Sequence, residues 1–193
     1  MDAKQALRRR VHDRREELGR REMERLGEKL SAALRQAPLY LNAQRVLLYC
    51  SMPLEIGTHG LMEQVWKDGK ALYLPRCGPG RGLTLCRVRS WRDLHAGAYG
   101  IGEPGPDCPV EPPEQMQLAV VPSLCCDEEG YRLGQGAGYY DRFLAGAGKG
   151  AALAALAFEC QMVERVPMAP HDVTMHLVIT QRAVYQGGKE MEI

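Results

Sequence analysis

Residues Arg132 to Leu144 read RLGQGAGYYDRFL. Gly134, Gly136 and Gly138 alternate with Gln135 and Ala137, and Tyr139, Tyr140, Asp141 and Arg142 then open a helix-like run. Glycine reaches positive φ without steric cost and puts no Cβ between the backbone and a ligand. The first N–H groups of a helix have no partner inside it and favour an anion. A phosphate fits that combination. Asp141 falls in the first turn, where the helix dipole favours a carboxylate. The same group suits Mg²⁺ held beside phosphate oxygens. Arg132 and Arg142 supply guanidinium groups for those oxygens, and Tyr139 and Tyr140 offer flat faces to a ring. Two plainer readings stay open at this point. The glycines also suit a flexible surface turn, and tyrosines at a helix start also serve as packing residues.

Other familiar chemistries find no match. Neither GxxxxGK[ST] nor a GxGxxG tied to a downstream ribose-binding acid occurs. His171 and His176 are five apart and do not fit the HExxH spacing of a zinc site. Cysteines stand at 50, 77, 86, 108, 125, 126 and 160, an odd number with no CxxC. They read as buried, reduced thiols in a reducing compartment, with the adjacent Cys125 and Cys126 on opposite faces of a strand.

The bulk numbers place these residues in a soluble globular chain. At 193 residues a single domain spanning 1–193 is expected, and it buries about 70% of its unfolded surface without needing disulfide or metal. Hydrophobic content is 45%, charged content 25% and net charge +1. That balance argues against nucleic acid or acidic membranes as partners. Residues 1–45 carry 12 Lys+Arg against 7 Asp+Glu, or +5, so the remainder is −4. The basic arm reads either as a solvated helix face or as an attraction for anionic ligands. The N-terminus MDAKQALRRR lacks an apolar h-region, and no run approaches 18 apolar residues. A cytoplasmic monomer is the expectation.

The elements that must position the glycine segment follow from periodicity. Leu7, Val11 and Leu18, then Met23, Leu26, Leu30, Ala33 and Leu34, predict two helices over 3–18 and 21–36. The break falls near Gly19, and Pro38 punctuates the end. Strands are predicted at 45–51, 70–76, 83–88, 118–124, 152–159 and 176–185, with a helix over HGLMEQVWKDG closed by Gly69 and a short one from about Tyr139 to Leu144. Gly78, Gly80 and Gly82 mark a turn, and residues 100–114 read as a long loop. Alternating strands and helices imply an α/β fold with a largely parallel sheet. Ligands in such sheets bind at the carboxyl ends of strands, where the loops after Ser51, Leu124 and Glu159 emerge.

The chain resembles the 5-formyltetrahydrofolate cyclo-ligase (methenyltetrahydrofolate synthetase) family. KQALR (4–8), YCSMPLEIGT (49–58), VPSLCCDEEGYRLGQGAGYYDRFL (121–144) and VPMAPHDV (166–173) occur in that family's order, with YLPR and YGIGEP between them. The likeness spans almost the whole chain. It implies a three-layer α/β/α sandwich, Rossmann-like, with N-terminal helices. It also implies conversion of 5-formyltetrahydrofolate to 5,10-methenyltetrahydrofolate with Mg·ATP, releasing ADP and phosphate. The folate tail could be polyglutamylated.

By the same resemblance, Lys4 and Arg8 contact ATP phosphates, and their i, i+4 spacing puts both on one helix face. Arg132, Leu133, Gly134, Gln135, Gly136, Ala137, Gly138, Tyr139 and Tyr140 form the ATP cradle. Catalytic charge stabilisation falls to Lys4, Arg8, Arg132 and Arg142. Asp141 and Asp172 are the matched metal ligands. Glu55 is the matched folate contact, and Cys50, Tyr139 and Tyr140 line the folate. Two departures stand out: Cys125-Cys126 replaces the commoner small-plus-aromatic pair, and His176 stands where many relatives carry an aspartate. If that aspartate helps order the metal site, His176 weakens it.

Overall fold

A computed structural model describes residues 3–97, 100–147, 150–169, 172–187 and 189–192. In chain order the helices are α1 (Ala3–Glu17), α2 (Arg20–Gln36), α3 (Pro38–Asn42), α4 (His59–Lys67) and α5 (Tyr139–Ala147). The strands are β1 (Arg45–Leu47), β2 (Ala71–Cys77), β3 (Leu83–Val88), β4 (Leu94–Ala96), β5 (Gly102–Pro104), β6 (Leu118–Val120), β7 (Cys125–Cys126), β8 (Arg132–Leu133), β9 (Ala152–Leu156), β10 (Leu177–Ile179), β11 (Ala183–Gln186) and β12 (Lys189–Glu192). Gly19, at φ 69°, separates the first two helices where the apolar spacing breaks. Gly69, at φ 71°, ends α4 as expected.

Eight strands form the main sheet in the order β12-β11-β10-β9-β6-β1-β2-β3. The five central strands from β10 to β2 run parallel. The outer strands β3, β11 and β12 are antiparallel. The central strands are mostly apolar, with Arg45 and Arg76 near strand ends, because both faces are covered. Leu26, Leu30 and Leu34 of α2, Tyr40 of α3 and Leu61, Met62 and Val65 of α4 pack on one face. Phe143 and Leu144 of α5, with Met116 and Met175, pack on the other. The architecture is therefore the expected α/β sandwich with a largely parallel sheet.

Three differences from the sequence expectation stand out. The run 176–185 is a hairpin rather than one strand, because the Thr180 hydroxyl accepts hydrogen bonds from the Arg182 and Ala183 N–H groups and turns the chain. β1 and β6 stop at Leu47 and Val120, earlier than predicted, as the chain leaves the sheet for the cleft described below. The segment 100–114 is not all loop: β5 pairs with β4, and Val110 bridges Cys86.

Chain order reverses across the middle of the sheet. From β1 the chain moves outward to β2 on one side, and from β6 outward to β9 on the other. The loops after β1 and β6 therefore part at a topological switch point, the place where open α/β sheets form a crevice.

Candidate functional site

A cleft of about 600 Å³ opens at that switch point, within the range of small-molecule sites. Tyr49, Cys50, Met52 and Glu55 enter it from the loop after β1. Pro122, Ser123 and Leu124 enter from the end of β6, and Ile101, Gly102 and Glu103 from the β4–β5 hairpin. Residues Arg132 through Asp141 form a further wall, and Lys4, Arg8 and Asp172 close it.

Packing explains how distant segments meet there. The β7–β8 hairpin follows β6 and carries Arg132 and Leu133. Its turn is pinned by the buried Asp127, whose carboxylate accepts hydrogen bonds from the N–H groups of Tyr131 (2.9 Å) and Val166 (2.9 Å). Leu7 and Val11 of α1 bury against Leu124, Cys125, Leu133, Val163 and Val166. That contact docks α1 on the hairpin and turns Lys4 and Arg8, one helical turn apart, toward the glycine segment.

The charged groups are paired across the cleft. Arg8 Nε donates to the Gly134 carbonyl at 3.0 Å. Lys4 Nζ lies 2.8 Å from Asp172 Oδ2, which also accepts the Ala169 N–H. Arg132 Nη2 lies 2.6 Å from Asp141 Oδ1, with the Arg132 side chain only 2% exposed. Two buried polar atoms of the wall, Arg132 Nε and the Tyr140 hydroxyl, have no hydrogen-bond partner. They are groups a polar ligand can satisfy. Asp141 and Asp172 offer hard oxygen donors, the class Mg²⁺ takes, so the residues present fit that ion.

The glycines divide by conformation. Gly136 (φ 105°) and Gly138 (φ 68°) adopt positive φ, whereas Gly134 does not. A Cβ on Gly136 would sit 3.3 Å from Arg8 Cζ, and one on Gly138 3.0 Å from Arg142 Nη1. The bare backbone is thus needed for close approach of the two arginines. Arg142 itself is exposed and outside the cleft lining; its guanidinium donates to the Ala137 carbonyl at 3.1 Å and lies over the Tyr139 ring.

Glu55 is presented by a strained turn. Leu54, at φ 68°, is the non-glycine residue at positive φ among the described residues, a costly conformation kept where surroundings impose it. One Glu55 oxygen accepts the Met52 N–H at 2.9 Å. Burial raises the Glu55 carboxyl above its ordinary range, while the Met52 N–H, Arg15 and the Gln135 side chain pull it down. Cys50 is half-buried and its thiol is raised by burial. Burial pushes Cys125 up to about 11 and Cys126 up to about 12, so neither is a nucleophile at neutral pH. They face different cores, as alternation predicted.

The cleft gathers every site residue expected from sequence except Arg142. His171 lies outside the described residues. His176 is exposed and stands at the amino end of β10, where its Nδ1 accepts the Leu153 N–H at 2.9 Å. Sequence reasoning missed Tyr49, Glu103 and the Ile101–Gly102 edge, which reach the cleft only through the β4–β5 hairpin and the ends of strands. A second groove, of about 850 Å³, runs between α2 and α4 and shares Met52 and Glu55 with the cleft. It lacks the glycine wall and the paired cations. Among the described residues, no helix is long and apolar enough to cross a membrane.

A doubly covered, mainly parallel sheet with a cleft at its switch point defines an α/β protein of the Rossmann-like kind. The chain belongs to the 5-formyltetrahydrofolate cyclo-ligase family, whose profile matches residues 1–181. It is 28% identical over 180 residues to the Escherichia coli K12 5-formyltetrahydrofolate cyclo-ligase, covering 91% of this chain and 99% of that one. It is 33% identical over 137 residues to the Haemophilus influenzae protein of the same name, covering 69% of this chain and 73% of that one. The solved Aquifex aeolicus 5,10-methenyltetrahydrofolate synthetase superposes with a TM-score of 0.86 at 34% identity, covering 100% of this chain and 96% of that one.

Proposed function

We propose that this enzyme cyclises 5-formyltetrahydrofolate to 5,10-methenyltetrahydrofolate, consuming Mg·ATP and releasing ADP and phosphate. One observation carries the reading: Lys4 and Arg8 of α1, the positive-φ glycine wall and Glu55 converge on one cleft although 51 residues separate Lys4 from Glu55 and 77 more separate Glu55 from Arg132.

The chemistry follows from bond order. A formyl oxygen on N5 leaves poorly, and N10 is a weak nucleophile. Transfer of the γ-phosphoryl to the formyl oxygen forms a P–O bond there and breaks the bond to ADP. The N10 lone pair then attacks the formyl carbon. The C–O bond breaks with phosphate as leaving group, N10 gives up its proton, and the ring closes. Such a reaction needs positioning and charge stabilisation rather than a covalent nucleophile.

Each residue has a part in that scheme. Lys4, Arg8 and Arg132 offset charge on the phosphate oxygens, at the cost of exchanging their present carboxylate and carbonyl partners for them. The backbone from Leu133 through Gly138 lies along the nucleotide. Glu55 accepts hydrogen bonds from the amino-amide edge of the pterin, and Cys50, Tyr139 and Tyr140 line the folate. Arg142, outside the lining, supports the loop by holding Ala137. Asp141 and Asp172 hold Mg²⁺, which supplies charge neutralisation on the phosphates when bound.

The test is to mix protein, Mg·ATP and 5-formyltetrahydrofolate and follow the ultraviolet band of the methenyl product. ATP-dependent growth of that band is expected. Binding of both ligands without product would instead mark a non-catalytic folate- and nucleotide-binding relative.

A further inference from the structure

Gln161 is a polar side chain held in the interior behind the cleft, and the scheme above gives it no part. It is 1% exposed and closes the short turn Glu159–Gln161 that follows β9. Both ends of its amide are engaged. Nε2 donates to the Leu124 carbonyl at 2.8 Å and to the Ser123 carbonyl at 3.1 Å, and Oε1 accepts the Phe158 N–H at 2.9 Å. Ser123 and Leu124 belong to the cleft lining, just past the end of β6; Gln161 does not. Successive carbonyls of a strand point to opposite neighbours, so two that meet one amide mark a backbone already turned out of the sheet. Polar groups on such a bend need partners that the ladder no longer supplies.

The residue type is narrowly set. Two carbonyls facing one side chain call for two N–H donors, and the Phe158 N–H calls for an acceptor on the same group. An ionised glutamate has no donor. A lysine has no acceptor and brings a charge into the interior.

From Leu124 a line of contacts runs to the glycine wall. The Leu124 N–H donates to the Leu133 carbonyl at 2.8 Å. Gly134 comes next in the chain, and its carbonyl accepts Arg8 Nε at 3.0 Å. The Leu124 side chain packs with Leu7 and Val11, on the helix that carries Lys4 and Arg8. That helix also rests against the Glu159–Gln161 turn. Gln161 thus stands where the ends of β6 and β9, the β7–β8 hairpin and α1 meet. Cys50 and Glu55 are carried instead by the loop after β1, whose turn is closed by its own hydrogen bonds between Met52 and Glu55.

We propose that Gln161 is a positioning residue for the nucleotide: by holding the Ser123 and Leu124 carbonyls it fixes the bend from which the Leu133–Gly138 wall extends, in the register that lets that wall and the α1 cations meet one set of phosphates. This rests on the wall being the nucleotide cradle. It adds that the cradle is set by a buried amide that never touches the ligand. Without the two donors, the free protein relaxes the bend until water reaches both carbonyls. Nucleotide binding then has to undo that relaxation, so the loss is read in nucleotide affinity.

The experiment uses the full chain and Gln161→Met, which keeps a similar volume and removes every polar atom. A non-hydrolysable ATP analogue and 5-formyltetrahydrofolate are titrated separately by calorimetry, at a temperature where circular dichroism shows each protein folded. The variant should bind the analogue about tenfold more weakly or worse. Its affinity for 5-formyltetrahydrofolate should stay within about twofold of wild type. Val65→Ala, a cavity on α4 away from the cleft lining, is the destabilised control and should keep wild-type affinity for both. A second reading needs no variant. Coupling is reciprocal, so saturating analogue should slow hydrogen exchange of the wild-type Gln161 carboxamide protons by about the same tenfold factor, while 5-formyltetrahydrofolate should leave it unaltered.

Unchanged analogue affinity in Gln161→Met, or an equal loss for both ligands, overturns the proposal. A comparable loss in Val65→Ala also overturns it, because stability alone then sets affinity. Should Gln161→Met not fold, exchange decides: carboxamide protons that the analogue leaves unaltered, or that 5-formyltetrahydrofolate slows as much, overturn the proposal, and selective slowing by the analogue supports it. An analogue that fails to bind the wild type refutes the nucleotide cradle itself, and the proposal falls with it.

Discussion

Asp141→Asn keeps the shape of the residue and removes its charge, which pairs with Arg132 in the structure and which we propose also holds Mg²⁺. Asp141 Oδ1 lies 2.6 Å from Arg132 Nη2, and the Arg132 side chain is 2% exposed against 25% for Asp141. Breaking a fully buried pair costs about 3–5 kcal/mol. The quarter exposure of Asp141 and the retained amide oxygen lower this to about 2 kcal/mol. For a chain of this size that is a fall in Tm of about 4–8 °C without ligand. The protein should therefore stay folded at 25 °C, where activity is assayed. If Asp141 also holds Mg²⁺ against the phosphates, turnover should fall by about a hundredfold or more, the effect expected from losing one preorganised charge contact. Calorimetric titration of a non-hydrolysable ATP analogue, with and without Mg²⁺, should find that the metal no longer strengthens binding. Near-normal turnover with an intact metal effect would refute the metal assignment. An unchanged Tm would refute the argument that Arg132 depends on Asp141.

Glu55→Gln should raise the KM for folate far more than that for ATP; an equal rise, or a rise for ATP alone, sinks the assignment. Because burial holds the Glu55 carboxyl above its ordinary range, the folded state binds more protons than the unfolded state between the two midpoints, stability falls as pH rises through that window, and it stays lower above. The Gln variant should therefore melt no lower than wild type at neutral pH, as a thermal melt reads directly. Gly136→Ala places a methyl 3.3 Å from Arg8 Cζ at φ 105° and puts a Cβ where a phosphate is to meet bare backbone, so affinity for an ATP analogue should drop about fivefold or more by calorimetry. Lys4→Met removes the 2.8 Å ion pair with Asp172 but leaves the Leu7 and Val11 contacts of α1; the KM for ATP should rise about tenfold with only a small change in melting.

Much of the fold is legible in local pattern because local physics decides it. The spacing of Leu26, Leu30 and Leu34 makes α2, Gly19 and Gly69 mark breaks where only positive φ continues the chain, and LTLCRV forms β3 over its whole predicted length. The misread run 176–185 carries its turn in the polar triplet Thr180-Gln181-Arg182, which is outweighed by apolar residues on either side. The early ends of β1 and β6 have no local signal. Leu48 and Tyr49 are as apolar as the strand before them, and they leave the sheet only because neighbouring connections diverge there.

The site separates along the same line. The glycine wall and the α1 cations advertise themselves, since a backbone free of Cβ and a pair of charges at i, i+4 are properties of short segments. Arg15 does not. In RRVHDRREE it is one charge in a run that reads as a solvated face, and Arg14 and Glu16 beside it bear that reading out. It is buried all the same, on a helix that packs against the turn Glu159–Gln161, more than 140 residues away in the chain. The same long-range packing that hides Arg15 also seats α1 on the β7–β8 hairpin, so Lys4 and Arg8 can reach the glycine wall only if Arg15 goes into the interior at the other end of the helix. Burying one cation and presenting two others are thus consequences of a single docking angle.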